Sequence, residues 1–274
     1  LPISFGKSIR ALRWAVAGGE DGPVTGSEDS RADSATMPAE PVERERARIR
    51  PYRPADLDAL YRICLQTDDD GKDATSLYRD PRLPGHLYAA PYGVLEPSLA
   101  FVAEDSAGVG GYIVGALDSQ AFEERRERQW WPGLRRRYPQ PLPETPAQRW
   151  TPDQRMAYRI HHPWRAPADL AERYPSHLHI NLVPRLQARG YGKSLIKTMI
   201  EELCAQGSGG LHLHVNPGNQ RAASFYRHIG FAELPATDAH LFGMDLRGMS
   251  ARHLAGGTHS TATGSGYPRT SGSI

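Results

Sequence analysis

Cysteine is scarce in this chain. Cys64 and Cys204 are the only two in 274 residues, far apart and each within a helical pattern. A disulfide framework is therefore excluded, and a reduced, cytoplasmic setting is expected. Long apolar runs are also lacking. Nothing approaches the roughly 18 residues of a membrane span, so no membrane partner is expected. Neither sign of charge is in excess. The formal net charge is +2, which leaves no global argument for nucleic acid. Apolar residues are only 39%, whereas Gly (27) and Pro (23) are plentiful, as in an ordinary core carrying disordered additions. The additions are expected at residues 1–46, which lack periodicity, and at 249–274, a flexible tail rich in Gly, Ser and Thr.

Two phosphate motifs are missing as well. Gly190 and Gly192 are one residue apart, too close for a Walker loop, and Leu195 breaks a G-x-G-x-x-G fingerprint. What is there is Gln187-Ala188-Arg189-Gly190-Tyr191-Gly192, followed by Lys193 and Ser194. An apolar run, Leu178 to Val183, precedes it. Leu195, Ile196, Met199, Ile200 and Leu203 follow on one helical face. The glycines thus sit at a strand-to-helix turn. Glycine tolerates positive φ and close approach. A helix start offers unpaired N–H groups and the positive end of a dipole. The turn reads as an anion site suited to a pyrophosphate.

A second string lies some thirty residues on: Asn219-x-x-Ala222-x-x-Phe225-Tyr226-x-x-x-Gly230-Phe231. Together, Q-x-x-G-x-G and N-x-x-A-x-x-x-Y-x-x-x-G-F resemble the signature of the GNAT N-acetyltransferases. The resemblance implies an α/β (α+β) mixed sheet of six to seven strands with helices on both faces, and acetyl-CoA as cosubstrate. The sequence order agrees. A first strand, 47–53, leads into a helix opened by Pro54 with Leu57, Leu60, Tyr61 and Cys64 as its stripe. Strands are expected at 99–103 and 112–117, joined by a turn over 105–111. A strand at 176–183, helix 192–206, strand 211–215, helix 219–229 and strands 231–234 and 240–246 follow. The parallel pair would be 176–183 with 211–215.

Residues 119–175 exceed the minimal GNAT plan. They hold Trp130, Trp131, Trp150 and Trp164, with nine prolines and eleven arginines against seven acids. This density implies an ordered, partly helical insertion, either a cover for the sheet or a wall for the acceptor. The whole unit, 47–248, is most similar to one branch. Ile49-Arg50-Pro51-Tyr52, Asp69-Asp70-Gly71, Gly111-Tyr112 and Arg-Tyr-Pro within the insertion resemble the acetyltransferase-like C-terminal domain of animal O-GlcNAcases and free-standing bacterial proteins. In the animal domain the pyrophosphate loop is degenerate. Here Gln187, Gly190 and Gly192 are all present.

The resemblance assigns roles. Backbone N–H groups of Gln187, Ala188, Arg189, Gly190, Tyr191, Gly192 and Lys193, with Ser194 beside them, would hold the pyrophosphate. Amides near Leu182 and Val183 would meet the pantetheine and the thioester oxygen. Asn219 matches the CoA-side asparagine and equally suits an N-cap. Tyr226 would face the CoA sulfur as a proton donor, with Phe225 packed inward beside Ala222 and Ile229. The base is the open position, since no carboxylate lies in 176–183. Asp118 is the first substitute, with Glu104, His177 and His179 behind it. Asp69, Asp70 and Trp130 are candidates for the amine acceptor, the run Asp68-Asp69-Asp70 favouring a cationic one. The H-x-H pairs 177/179 and 212/214 read as buried imidazoles or, less simply, a metal pair; no resident metal is expected. The alternative to an enzyme is a pseudo-acetyltransferase that binds acetyl-CoA or a protein without turnover.

Overall fold

The computed structural model describes residues 46–142, 144, 146–236 and 240–249. The expected N-terminal extension and C-terminal tail therefore lie almost wholly outside the described residues. The elements are β1 (Arg48–Pro51), α1 (Leu57–Leu65), α2 (Leu83–Tyr88), α3 (Ala90–Leu95), β2 (Ala100–Asp105) and β3 (Gly108–Ala116). After them come α4 (Ser119–Gln129), α5 (Trp131–Arg137), α6 (Pro152–His161), α7 (Ala168–Arg173), β4 (Ser176–Leu182) and α8 (Tyr191–Ala205). The last are β5 (Gly210–Val215), α9 (Gln220–His228), β6 (Ala232–Leu234) and β7 (His240–Asp245). The seven strands form one mixed sheet in the order β1-β2-β3-β4-β5-β7-β6, with β4 and β5 parallel. This is the expected fold class. Among the described residues, no helix is long and apolar enough to cross a membrane.

Local chemistry explains most boundaries. Asp56 accepts the Arg53 N–H at 2.8 Å ahead of α1. Thr151 and Gln154 make a reciprocal capping box at α6. The β2–β3 turn is tighter than expected. Asp105 already pairs with Gly108 across a two-residue loop, and a register shift at Ala103/Glu104 absorbs the difference. Helices α2 and α3, six residues each and rich in Pro and Gly, have no counterpart in the sequence-based expectation.

Alternation along β4 splits the molecule. Leu178, with Ile180 and Leu182 beside it, belongs to a core shared with α8 and α9, including Leu195, Met199, Leu203 and Phe242. On the other face α1, α3 and α4 bury Ile63, Tyr92, Tyr112 and Phe122. The segment 119–175 forms a satellite core of Trp131, Leu134, Met156 and Ile160 against Leu83 and Leu87 of α2. Its α7 supplies Leu170, which packs with Tyr174 and Leu241 near β7.

Candidate functional site

The site begins where two neighbouring strands part. β4 and β5 share only two register pairs, Ser176 with Leu211 and His177 with His212. β3 and β4 share six, and so do β5 and β7. Past His177 the parallel ladder stops, and a split opens in mid-sheet. The amide of Val183 bonds to Gly110 of the β3 side at 2.9 Å. Antiparallel strands present alternate residues to alternate sides. Ile180 and Leu182 therefore turn their backbone groups the other way, toward the split. This corrects the expectation for Val183, whose N–H is already used. The Leu182 amide is not taken by β3.

The loop after β4 is held from three directions. Arg185 bonds to both carboxylate oxygens of Asp105, at 3.0 and 3.1 Å. Gln187 Nε2 donates to the Leu182 carbonyl at 2.7 Å, and Arg221 Nη1 donates to Gln187 Oε1 at 3.1 Å. Ala188 and Gly190 adopt positive φ, 55° and 86°. For alanine that costs about 1 kcal/mol, a cost characteristic of functional loops. Gly190 is the N-cap of α8 and offers no side chain to its first amides. The helix start is thus open to an anion. Arg189, Lys193 and Ser194 are exposed there, and Gly192 faces Leu182 and Phe225. The hydroxyl of Tyr191 is occupied, accepting the Ala47 N–H at 2.8 Å.

Asp69 to Lys72 make a tight turn with Asp70 and Gly71 both at positive φ, the type I′ geometry that favours Asp-Gly. Asp70, Gln187, Asn219 and Arg221 line one open cleft of about 620 Å³. Burial, then the neighbouring Asp69, pushes the Asp70 carboxyl above its ordinary range. Asp70, like Asp69, is nonetheless exposed at the cleft. Asn219 Oδ1 accepts the Ala222 N–H at 3.0 Å, so Asn219 caps α9 at the edge of the same cleft.

Tyr226 and Phe225 both pack on the α8–α9 core, Phe225 together with Ala222 and Ile229 as expected, and Tyr226 lies the deeper of the two. Tyr226 is 7% exposed and packs on Phe231 and Phe242, whereas Phe225 is half-buried beside Gly192. Burial pushes the Tyr226 phenol up, so it keeps its proton.

Four other expectations are corrected. Asp118 accepts the Ala121 N–H at 2.9 Å as the cap of α4. It follows the β3 end that pairs with His177, about 15 to 20 Å of strand from Leu182 at 3.3 Å per residue, and so cannot serve chemistry there. Glu104 is committed to Arg48 and Arg50. His177 uses both nitrogens, with Ser119 Oγ at 2.7 Å and the Tyr92 hydroxyl at 2.8 Å. Trp130 donates to the His86 carbonyl at 2.9 Å and belongs to the satellite core.

The opposite mouth of the split carries residues that sequence reasoning passed over. Asn181 accepts from Tyr112 at 3.0 Å and donates to Thr67, which docks the end of α1 on β4. Asp68, next to Thr67, accepts from the Tyr78 hydroxyl at 2.5 Å. Burial raises its carboxyl. Tyr88 accepts from Arg159 and lies 5.7 Å from the His179 ring. Across the split, Trp164 packs edge-on to His214 at 4.3 Å. The Asp68 run, Trp164 and the histidine pairs are legible in the sequence; Thr67, Tyr78, Tyr88, Arg159 and Asn181 carry no signal there. The four histidines form no metal-holding group among the described residues.

Comparison with known proteins fits this geometry. A family profile described as FR47-like protein matches residues 166–239, which include β4, α8, β5 and α9. The crystal structure of SsHAT is 36% identical, covers 73% of this chain and 98% of its own, and superposes with a TM-score of 0.68. Protein O-GlcNAcase from Rattus norvegicus is 25% identical over 228 residues, 81% of this chain, as is its Mus musculus counterpart. The match takes in 24% of those relatives' length.

Proposed function

This chain belongs to the GNAT acetyltransferases, in the branch of SsHAT and the acetyltransferase-like domain of O-GlcNAcases, and from that we propose that it transfers acetyl from acetyl-CoA directly to an amine. The observation that carries the reading is the parting of β4 and β5 beside a glycine-started α8. Acetyl-CoA fits what is present: an anion-ready helix start, room at Gly192, and the inward-turned amides of Ile180 and Leu182. The residues then divide the work. The first amides of α8 hold the pyrophosphate, with Arg189 and Lys193 adding positive charge. Leu182 and Ile180 orient the pantetheine and polarise the thioester carbonyl. The bound thioester supplies an activated acetyl group. Tyr226 donates a proton to the departing sulfur. The half-buried Asp68, with Asp69 and Asp70 nearby, favours a cationic amine. The catalytic unit is 47–248, and its 119–175 insertion walls the acceptor side through Trp164 and Arg159.

A second reading, binding without turnover, draws on one observation: β4 carries no carboxylate. The two readings separate in one experiment. Calorimetry with acetyl-CoA should give saturable binding, and thiol release with a panel of amines should show amine-dependent turnover. Binding with no release under any amine would support the second reading. Absence of binding would overturn both.

A further inference from the structure

Of the bases that the sequence offers, the structure leaves one uncommitted. Asp118 is a helix cap, Glu104 is held by two arginines, and His177 is bonded at both nitrogens. Ser119 gives its single proton to the Pro175 carbonyl at 2.7 Å. His177 Nδ1 must then donate to Ser119, and Nε2 accept from Tyr92. His212 is likewise engaged, its Nδ1 donating to the Tyr174 carbonyl at 2.7 Å. His179 makes no hydrogen bond among the described residues and keeps partial exposure. Its ring stands between Tyr88 and Tyr92, at 5.7 and 5.4 Å.

Position singles it out further. The β4–β5 register ends at His177 with His212. The next pair on this face in the same phase is His179 with His214, so these two imidazoles flank the mouth of the split. His179 is adjacent in sequence to Ile180, whose backbone faces that split. His214 is exposed on the far strand, with Trp164 standing edge-on to it.

We infer that His179 is the general base, accepting the proton that the acceptor nitrogen loses as it attacks the thioester. The inference rests on the transfer reading above. As the N–C bond forms the C–S bond breaks. The proton on nitrogen passes to His179, and the sulfur leaves as thiolate and takes a proton at Tyr226. Burial pushes the His179 imidazole down to about 3, with Arg126, His214 and His212 adding to it. The ring is therefore neutral at ordinary pH, free to accept. So weak a base receives the proton late, as the C–S bond breaks and the nitrogen takes on amide character, which makes its proton strongly acidic.

The test uses the full chain. His179→Gln should lower kcat by about 100- to 10,000-fold and leave acetyl-CoA affinity within twofold. His214→Gln should keep kcat within about threefold. Added imidazole should restore part of the rate to His179→Ala, which a merely structural role would not allow. Wild-type kcat in His179→Gln, or loss of turnover in His214→Gln instead, would overturn the proposal. Carbethoxylation mapped by mass spectrometry reads the same geometry without turnover. It should modify His179, spare His177, and be blocked at His179 by saturating acetyl-CoA. His179 modified equally with and without acetyl-CoA would overturn the assignment even if no amine is ever acetylated. An absence of amine turnover alone would instead overturn the transfer reading.

Discussion

The side chain of Gln187 reaches back five residues to donate its amide hydrogen to the Leu182 carbonyl at 2.7 Å. This one bond ties the anion loop to the last residue of β4, and Arg221 fixes the other end of the same amide. Gln187→Leu keeps the volume and removes both. The Leu182 carbonyl loses its donor, at about 1 to 3 kcal/mol, and the loop loses its angle to the split. The melting temperature should fall by about 2 to 10 °C, with acetyl-CoA binding weakened by at least about tenfold. Unchanged calorimetric affinity would mean that the loop holds its shape without this tie.

Gly190 stands at φ 86°, and a Cβ there would meet open space. Asp tolerates this conformation better than most residues, so Gly190→Asp should fold. It would place a negative charge at the start of α8. Affinity for acetyl-CoA should drop at least tenfold, about 1.4 kcal/mol, with the melting temperature lowered by only about 2 to 4 °C for the positive φ. Calorimetry beside a thermal scan decides it.

Tyr226→Phe removes one hydroxyl from a ring packed on Phe231 and Phe242. The ring stays, and so should the fold. With the phenol as proton donor, kcat should fall by roughly 10- to 1000-fold, while acetyl-CoA affinity holds because the loss is felt in the transition state. Full kcat in a chemistry-limited assay would return Tyr226 to the core.

Trp164 and Trp130 belong to the same insertion but to different surroundings. Trp164 is 52% exposed against His214; Trp130 is tied to His86. Trp164→Ala should raise the acceptor KM several-fold with stability nearly intact. Trp130→Ala should cost stability and leave the acceptor KM alone. The reverse pattern in paired kinetics and melting would move the acceptor wall elsewhere.

Arg50 sets a pH dependence. It bonds to Asp56 at 2.7 Å and to Glu104 at 2.9 Å. Its guanidinium holds the Asp56 carboxyl below its ordinary range and, with Arg48, takes Glu104 down to about 2. Depressed carboxyls stabilise fully above the unfolded-state values of about 4. The contribution is lost as pH falls from there through about 2. Urea midpoints for the wild type should decline across this window, and Asp56→Asn should flatten the decline. Parallel curves for the two proteins would remove the triad as the cause.

The parts of this architecture that could be read in advance are those written in local chemistry. Gly190 announces a left-handed turn, Asn219 a cap, and Leu195 to Leu203 a helix face. What escaped depends on distance in the chain. Asp118 looked catalytic because spacing cannot tell which end of β4 it would meet. Phe225 and Tyr226 share one helix, and only Phe231 and Phe242 decide which ring goes inside. Helices α2 and α3 are too short and too rich in Pro and Gly to show a period, so Tyr88 and Tyr92 gave no warning of their place beside His179.

The two-rung join between β4 and β5 makes the sheet two half-sheets that share a seam. Four strands lie on one side and three on the other. Along the seam, mid-sheet amides are left as exchangeable as those of an edge strand. Ile180 and Leu182 should take up deuterium well ahead of the β3 amides beside them. The protein thus carries a sheet edge in its interior, screened by α8 and the Asp69–Lys72 turn from the strand-to-strand association that an outer edge invites.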